Sequence, residues 1–159
     1  MLDAAFGDDA EERFTDDDWD HAVGGVHFVL DVEGEIVTHA SVVERDLHVG
    51  DRAVRTAYVE AMGTAPAQQG AGFGSMVMRE VTAYIADRFE LGALGTGRHA
   101  FYGRFGWQTW RGQTSVRTAD GPRRTPEDDG FILVLLTAAS MDLDLGATIS
   151  CEWRPGEVW

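Results

Sequence analysis

The chain has 159 residues, of which 44% are hydrophobic and 25% charged, which is ordinary for a globular protein. That length predicts one domain over residues 1–159 with a substantial core. The formal net charge of −14 makes nucleic acid and anionic membranes poor partners and a polycation a good one. The single cysteine, Cys151, excludes an internal disulfide framework.

The first 25 residues are acidic and begin unlike a secretory signal, so we expect a cytoplasmic protein. Ala4 to Phe6 can belong to a short helix, and Thr15 can cap a second helix that begins near Asp16. Trp19 stands within this acidic run, which indicates that one side of the second helix packs or lines a cleft. No apolar stretch of the sequence is long enough to span a bilayer.

The remaining segments predict a meander of strands that leads into a strand–helix–strand unit. Strands are predicted at Val26–Val32, Glu35–Arg45, Leu47–Val49, Val54–Met62, Leu91–Gly95, Trp107–Arg117 and Phe131–Leu136, and helices at Ser75 to about Phe89 and at Arg98–Arg104. Ala119–Gly130 is predicted as a polar loop. The fold class is therefore α/β, a mixed and mostly antiparallel sheet with flanking helices.

A glycine-rich turn connects the central strand to the helix after it. The backbone N–H groups of such a turn and the positive end of a helix dipole form a site for phosphate. A P-loop requires a lysine, which this chain lacks, and a dinucleotide fingerprint requires G-x-G-x-x-G, which Gly70, Gly72 and Gly74 do not follow. The remaining pattern, Q-x-x-G-x-G from Gln69 to Gly74, resembles the pyrophosphate loop of the GCN5-related N-acetyltransferases, which hold acetyl-coenzyme A. An ordinary glycine-rich turn is the alternative.

Two residues have the chemistry that acetyl transfer to an amine needs, a base for the amine and an acid for the departing thiolate. Glu60 is the only acid in the central strand, where a carboxylate either acts as a base or lies at a water-facing edge. Tyr102 belongs to the F-Y-x-x-x-G-W pattern of residues 101–107. A phenol with a pKa near 10 suits a thiolate whose conjugate acid has a pKa of about 8.5.

The five histidines have no metal-ligand spacing, so no metal is predicted, and each is expected to be packed or exposed. They are His21, His27, His39, His48 and His99. His99 precedes Tyr102 by one helical turn and is the only one that we would test. Cys151 is expected to be a small buried residue.

Longer motifs are similar to one branch of this superfamily, the aminoglycoside 2'-N-acetyltransferases. They are Asp18-Trp19-Asp20-His21 before Gly24-Gly25, Tyr58-Val59-Glu60, Phe101-Tyr102 with Gly106-Trp107, Gly112–Val116, Arg124–Gly130 and the tail Trp153–Trp159. The R-T-P-x-D-D-G loop and the V-W ending are far more specific than the glycine loop.

This resemblance implies transfer of acetyl to the 2'-amine of an aminoglycoside, and hence antibiotic resistance. It implies that acetyl-coenzyme A lies against Met62, Gly63 and Thr64, with its pyrophosphate on Gln69, Gly70, Ala71, Gly72, Phe73 and Gly74. Glu60 would act as base through ordered water, and Tyr102 would protonate the thiolate. Aminoglycoside binding is implied for Asp18, Glu60, Ala61, Gly95, Glu127, Asp128 and the α-carboxylate of Trp159. Converging carboxylates suit a ligand with several ammonium groups.

Three departures from the family pattern affect these expectations. The family usually begins with another strand and a full helix before Phe6, and about twenty residues of that pattern are missing here. We therefore expect the first strand to be absent, which would leave Val26–Val32 as an edge strand unless a second copy covers it, so a homodimer is a hypothesis. Arg13 stands where the family has an acid, with Glu12 beside it. Gly72 stands where the family often has a basic residue.

Two other functions stay open on the sequence. One is acetyl transfer to another amine or polyamine, and the other is a non-catalytic module that binds coenzyme A or the drug. A pure binder would need neither Glu60 nor Tyr102, which favours an enzyme.

Overall fold

The computed structural model describes residues 1–6 and 15–159. The helices are α1 (Leu2–Phe6), α2 (Asp16–Val23), α3 (Phe73–Arg88) and α4 (His99–Gly103), with 3-10 turns at Pro66–Gln68 and Pro126–Asp128. The strands are β1 (Val26–Val32), β2 (Glu35–Val49), β3 (Arg52–Thr64), β4 (Leu91–Gly95), β5 (Gln108–Thr109), β6 (Thr114–Thr118), β7 (Gly121–Arg124), β8 (Ile132–Leu136) and β9 (Ile149–Glu152). This mixed α/β sheet confirms the predicted fold class. Two compact units divide the chain, and β2, β3 and α3 have one end in each.

The first unit consists of the described residues of Met1–Val43 together with Val59–Ala83. Thr15 caps α2 as predicted. β1 pairs antiparallel with β2 from Val26 opposite Val42 to Val32 opposite Glu35. Among the described residues β1 has no second partner, and Val26 and Val29 are exposed. Its core contains Val37, Ala40, Val42, Val59, Val77, Met78 and Val81.

The second unit consists of Glu44–Tyr58 and Tyr84–Trp159. Its strand order is β5-β8-β4-β3-β2-β9-β6-β7. β3 runs parallel to β4 and β6 runs parallel to β9, while β8 and β7 pair antiparallel with their neighbours. The core is built from large side chains that are almost fully buried, namely Leu47, Tyr58, Leu91, Trp110, Leu133 and Ile149.

The structure corrects two predicted strand boundaries. The segments Glu35–Arg45 and Leu47–Val49 form the single strand β2, because Arg45 is buried and bonds to Glu152 instead of ending the strand. The predicted strand Trp107–Arg117 is two strands, β5 and β6. It is interrupted where the N–H groups of Arg111 and Gly112 donate to the Leu145 carbonyl at 2.9 Å and 3.0 Å.

Two strands were not predicted at all. β7 lies in the segment predicted as a polar loop and forms a hairpin with β6, and β9 lies in the tail and pairs with β6 and β2. Both are short, four-residue strands. None of the helices within residues 1–6 and 15–159 has the length and apolar character needed to cross a membrane.

Candidate functional site

The glycine-rich turn of the first unit opens α3, which begins at Phe73. Gly70 and Gly72 adopt φ angles of 82° and 86°, in the left-handed region that favours glycine. The Met76 N–H donates to the Gly72 carbonyl at 3.1 Å, which closes the first helical turn. The first N–H groups of a helix have no partner within it, so this turn presents donors to an anion at the positive end of the dipole.

Replacing Gly72 by alanine is expected to raise the KM for acetyl-coenzyme A several-fold. A Cβ at Gly72 would meet no atom within 4 Å, so the substitution acts through the backbone angle and not through a clash. A left-handed alanine costs about 1–2 kcal/mol, which shifts the turn toward other conformations. Gly24→Ala is the matched control because Gly24 has a φ of −82° and the same open space. Equal KM values for the two variants would contradict the role of the turn.

β3 carries the predicted base at the end that belongs to the first unit. Glu60 is half-buried there, followed by Ala61, Met62, Gly63 and Thr64. Ala61 adopts a φ of 50°, a conformation that costs an alanine about 1–2 kcal/mol. The strand therefore bends between the predicted base and the residues predicted to contact acetyl-coenzyme A.

Thr64, at the end of β3, connects this strand to the glycine-rich turn. Its carbonyl accepts a hydrogen bond of 3.1 Å from the side-chain amide of Gln69, and its hydroxyl lies 3.1 Å from that of Thr38. The Ala65 N–H donates to the Val37 carbonyl at 2.8 Å. The first unit thus brings together Thr64 and Gln69, two of the residues predicted to hold acetyl-coenzyme A.

Asp18 has a structural role at the start of α2. Its Oδ2 accepts hydrogen bonds from the N–H and the hydroxyl of Thr15 at 2.8 Å and 2.7 Å, and its own N–H donates to that hydroxyl at 3.3 Å. This is a complete capping box at the start of α2. The carboxylate predicted to bind the drug is therefore held in place by the helix that carries it. Arg13 and Glu12, the departure noted above, lie outside the described residues.

Tyr102 lies on α4 in the second unit and is 7% exposed. Its ring packs edge-on against Phe101, with centroids 4.9 Å apart, and lies 6.3 Å from the ring of Trp107. Burial raises the pKa of Tyr102 to about 12, against a smaller opposing effect of Arg98. The phenol is therefore protonated throughout the physiological range and can donate a hydrogen bond. On the same helix, Nδ1 of His99 lies 2.9 Å from the hydroxyl oxygen of Thr109.

The loop after β7 carries a group of carboxylates. Asp128 is half-buried, and desolvation raises its pKa, with a smaller contribution from the nearby negative charges of Glu127, Glu157 and Asp129 and an opposing hydrogen bond from Thr125. Crowded and partly desolvated carboxylates are stabilised by a cation. This group therefore suits an ammonium ligand.

Asp129 is used differently from its neighbour. Its Oδ2 accepts a hydrogen bond of 2.7 Å from Arg124, and its Oδ1 accepts bonds of 2.8 Å and 2.9 Å from the N–H and hydroxyl of Thr114. These bonds, that of Arg124 first, hold the pKa of Asp129 well below its usual range. Asp129 therefore anchors the loop, while Asp128 and Glu127 remain the candidates for ligand binding.

The C-terminal residues are held against this loop. The Trp159 indole, 7% exposed, donates to the Thr125 hydroxyl at 3.0 Å. The Val158 carbonyl accepts bonds from Arg45 at 2.8 Å and from the Cys151 thiol at 3.3 Å. Cys151 is buried, as predicted.

Gly95 and Trp159 are close neighbours within the second unit. A Cβ at Gly95 would lie 4.0 Å from the carbonyl carbon of Trp159 and 3.5 Å from the Tyr58 hydroxyl. The second unit therefore brings together Gly95, Trp159 and the loop with Glu127 and Asp128, four of the residues predicted to bind the substrate.

Two residues near this group were missed. Arg45 is 4% exposed, donates to Glu152 at 2.9 Å as well as to Val158, and lies over the Tyr58 ring at 4.7 Å. Glu157 adds a carboxylate beside Asp128. Glu157 belongs to the tail motif Trp153–Trp159, so the sequence could have indicated it. The hydrogen-bond partners of Arg45 lie more than 100 positions away, so no local pattern in the sequence indicated its burial. Within residues 1–6 and 15–159 no group of His, Cys, Asp and Glu could hold a metal ion.

Comparison with known proteins gives three principal similarities. The sequence model described as Acetyltransferase (GNAT) domain matches residues 1–110. An aminoglycoside 2'-N-acetyltransferase of Mycolicibacterium fortuitum is 42% identical over 154 residues, which cover 94% of this chain and 78% of that protein. A GNAT family N-acetyltransferase of Escherichia coli, solved in complex with CoA, superposes with a TM-score of 0.66 at 16% identity, covering 95% of this chain and 80% of the other.

Two further observations bear on these similarities. A GNAT family acetyltransferase of Brucella melitensis, solved in complex with acetyl-CoA, has a TM-score of 0.61 at 17% identity and covers 96% of this chain and 84% of the other. Some matching structures are of much longer proteins, of which this chain spans between 22% and 29%. At these low identities the solved structures support the fold alone.

Proposed function

Because the chain belongs to the acetyltransferase (GNAT) family, we propose that it transfers an acetyl group from acetyl-coenzyme A to the 2'-amine of an aminoglycoside. The observation that carries the proposal is the 42% identity with the Mycolicibacterium fortuitum enzyme over nearly the whole chain. Acetylation converts a protonated amine into a neutral amide, and the loss of that charge weakens binding of the drug to an anionic target. The activity would therefore confer antibiotic resistance.

The proposed site for acetyl-coenzyme A lies in the first unit. The pyrophosphate would bind the N–H groups of the turn from Gln69 to Gly74, where Gly70 and Gly72 have the left-handed angles that the turn needs. The pantetheine and acetyl groups would lie along Met62, Gly63 and Thr64. Because this turn has glycine where the family often has a basic residue, the phosphate contacts rest on the backbone.

The proposed reaction needs two proton transfers. The 2'-ammonium group loses a proton to Glu60 through water, and the free amine then attacks the thioester carbon. A backbone N–H stabilises the oxyanion that forms. The carbon–sulfur bond then breaks, and the nitrogen gives up its second proton, which ends on the coenzyme A sulfur, so that the products are a neutral amide and a thiol. Tyr102 donates a hydrogen bond to the departing thiolate. With a pKa of about 12 the phenol is a weaker acid than a thiol of pKa about 8.5, so stabilisation of the thiolate precedes any full proton transfer.

Tyr102→Phe is expected to lower kcat about tenfold with little change in the KM for acetyl-coenzyme A. The buried hydroxyl makes a donor available to the thiolate, and one such hydrogen bond contributes about 1.5 kcal/mol. The raised pKa keeps Tyr102 protonated between pH 7 and pH 10. We therefore expect no decline of the wild-type kcat in this range from deprotonation of Tyr102. Measurement of kcat against pH for both proteins checks this, and equal kcat values would exclude the role.

Recognition of the drug is proposed for carboxylate side chains. Asp18 on α2 and Asp128 with Glu127 on the loop would bind ammonium groups through charge-assisted hydrogen bonds. Ala61 and Gly95 would border the ligand, and the α-carboxylate of Trp159 remains a prediction. The net charge of −14 would speed capture of the cationic drug.

Three further expectations belong to this proposal. A cytoplasmic location is supported by the use of acetyl-coenzyme A, and one domain over residues 1–159 is supported by the strands and helix that run through both units. A homodimer is motivated by β1, which pairs with β2 on one side and has no partner strand on the other side among the described residues. Solution scattering tests the dimer, because a monomeric mass would remove it.

The position of the acetyl group on the product tests the proposed function. Tobramycin is incubated with acetyl-coenzyme A and the protein, and two-dimensional NMR locates the new amide. An acetyl group on the 2'-nitrogen supports the proposal. An acetyl group on another nitrogen would keep the reaction and contradict its position. The absence of any product, with acetyl-coenzyme A still bound, would favour another amine or a non-catalytic module.

A further inference from the structure

Three aromatic rings of the first unit pack against one another, and the proposed function uses none of them. The rings of His27 on β1 and His39 on β2 have centroids 5.1 Å apart, and the Trp19 ring of α2 lies 5.9 Å from each. His39 is 5% exposed, whereas His27 is exposed. A buried imidazole needs hydrogen-bond partners.

The two imidazoles form a continuous chain of contacts between two backbone carbonyls. His39 Nδ1 lies 2.9 Å from the Ala61 carbonyl oxygen, His39 Nε2 lies 2.8 Å from His27 Nδ1, and His27 Nε2 lies 3.3 Å from the Val23 carbonyl oxygen. A carbonyl only accepts, so His39 must carry its proton on Nδ1 to bond with Ala61. His39 Nε2 then accepts from the N–H of His27.

The surroundings of His39 favour its neutral form. Burial lowers the pKa of His39, the bond to Ala61 opposes this, and the charge of His27 lowers it further. A neutral His39 keeps its one proton on Nδ1, where the Ala61 carbonyl accepts it.

The residue that His39 holds is the one that bends β3. Ala61 is one of two non-glycine residues with positive φ in the described chain, and it lies between Glu60 and Met62. In a trans peptide the C=O and the following N–H point in opposite directions, and no described peptide bond is cis. A carbonyl of Ala61 that is aimed at His39 therefore directs the Met62 N–H away from the histidine pair.

We propose that His39, supported by His27, is a positioning residue for acetyl transfer: it holds the Ala61 carbonyl so that the Met62 N–H is presented to the thioester oxygen. This inference rests on the proposed function, in which Glu60 and Met62 flank the reacting atoms. The effect of His39 is exerted through the peptide between Ala61 and Met62.

A pair of substitutions separates the hydrogen bond from the bulk of the ring. In His39→Asn the side-chain N–H occupies about the place of Nδ1 and can still donate to Ala61, whereas His39→Leu fills a similar volume without a donor. We expect His39→Leu to lower kcat with tobramycin about 10- to 100-fold while changing its KM less than about threefold. His39→Asn should restore kcat to within about threefold of the wild-type value. His48→Asn is the control because His48 lies on the part of β2 that belongs to the other unit.

A spectroscopic measurement follows the same contact without any drug. Acetyl-coenzyme A labelled with ¹³C at the thioester carbon is bound to each protein, and the carbonyl stretch is measured by infrared difference spectroscopy. A hydrogen bond to this oxygen lowers the stretching frequency. We expect the lowered frequency in the wild type and His39→Asn, and a return toward the frequency of free acetyl-coenzyme A in His39→Leu. This result would stand even if tobramycin were not the acceptor.

Each remaining outcome contradicts the inference. Wild-type kcat and carbonyl frequency in both His39 variants would show that the bond to Ala61 positions nothing. Equal losses in both variants would show that the ring, and not its donor, is needed. If His39→Leu does not fold, His27→Leu decides, because it removes an exposed ring that fixes the His39 tautomer. We expect a threefold or larger loss of kcat there, and no loss would refute the pair.

Discussion

Glu60→Gln is expected to lower kcat with tobramycin about 10²–10⁴-fold at neutral pH, the usual contribution of a general base. Glutamine has the shape of glutamate but cannot take a proton, so the half-buried position in β3 should remain filled. The defect should shrink as the pH rises, because a larger fraction of the drug then arrives as the free amine. Rates measured against pH for both proteins check this expectation.

Glu35→Gln is the matched control for this experiment. Glu35 is exposed at the start of β2 in the same unit, so its substitution makes the same change in net charge away from the proposed chemistry. Glu60→Gln turnover equal to that of the wild type at every pH would exclude Glu60 as the base. A loss that is independent of pH would assign it to binding instead.

Asp128→Asn is expected to raise the KM for the drug about 10- to 100-fold, the value of one charge-assisted hydrogen bond. The KM for acetyl-coenzyme A should change little. Asp128 is half-buried among other carboxylates, so its negative charge is partly desolvated and is repelled by its neighbours. A bound ammonium group offsets this repulsion, and water does not. Steady-state kinetics with each substrate varied in turn measure the two constants.

Asp120→Asn removes the same charge from an exposed turn and serves as the control. Steering by net charge changes equally in both variants, so the difference between them isolates the contact. Because the pKa of Asp128 is raised, its charge is lost on acidification at a higher pH than that of an exposed aspartate, and the KM for the drug should rise from that pH downward. Equal KM values for the two variants would contradict binding by Asp128.

Local patterns in the sequence predicted much of the first unit. Thr15 before an acidic turn predicted the cap of α2, and the capping box is present. The helix predicted from Ser75 to about Phe89 is α3, which runs from Phe73 to Arg88. These features depend on neighbours within a few residues, which is the range over which a sequence pattern can be interpreted.

Features that depend on distant partners were missed. Arg45 sits between two acids and resembles the end of a strand, yet it is buried, and Glu152 and Val158 accept hydrogen bonds from it. The strand β9 depends on its pairing with β6 and β2. No local signal specifies such partners, since a short strand is stabilised by what lies beside it.

The candidate site shows the same division. The sequence pointed to Glu60, Tyr102 and Asp128 by residue type and motif, but it did not indicate that burial raises the pKa of Tyr102. We expected His27 and His39 to be packed or exposed. Their contacts with each other and with Ala61 join three strands, and no local pattern in the sequence indicates such contacts. The left-handed Ala61 had no signal at all, since alanine rarely adopts that conformation.

The central claim is acetyl transfer to a 2'-amine, and the release of thiol from acetyl-coenzyme A with tobramycin and with kanamycin A tests it most directly. Tobramycin has an amine at the 2' position, and kanamycin A has a hydroxyl there. We predict thiol release with tobramycin and only the background rate with kanamycin A. Equal rates with the two drugs, or no release with either from a protein that binds acetyl-coenzyme A, would contradict the claim.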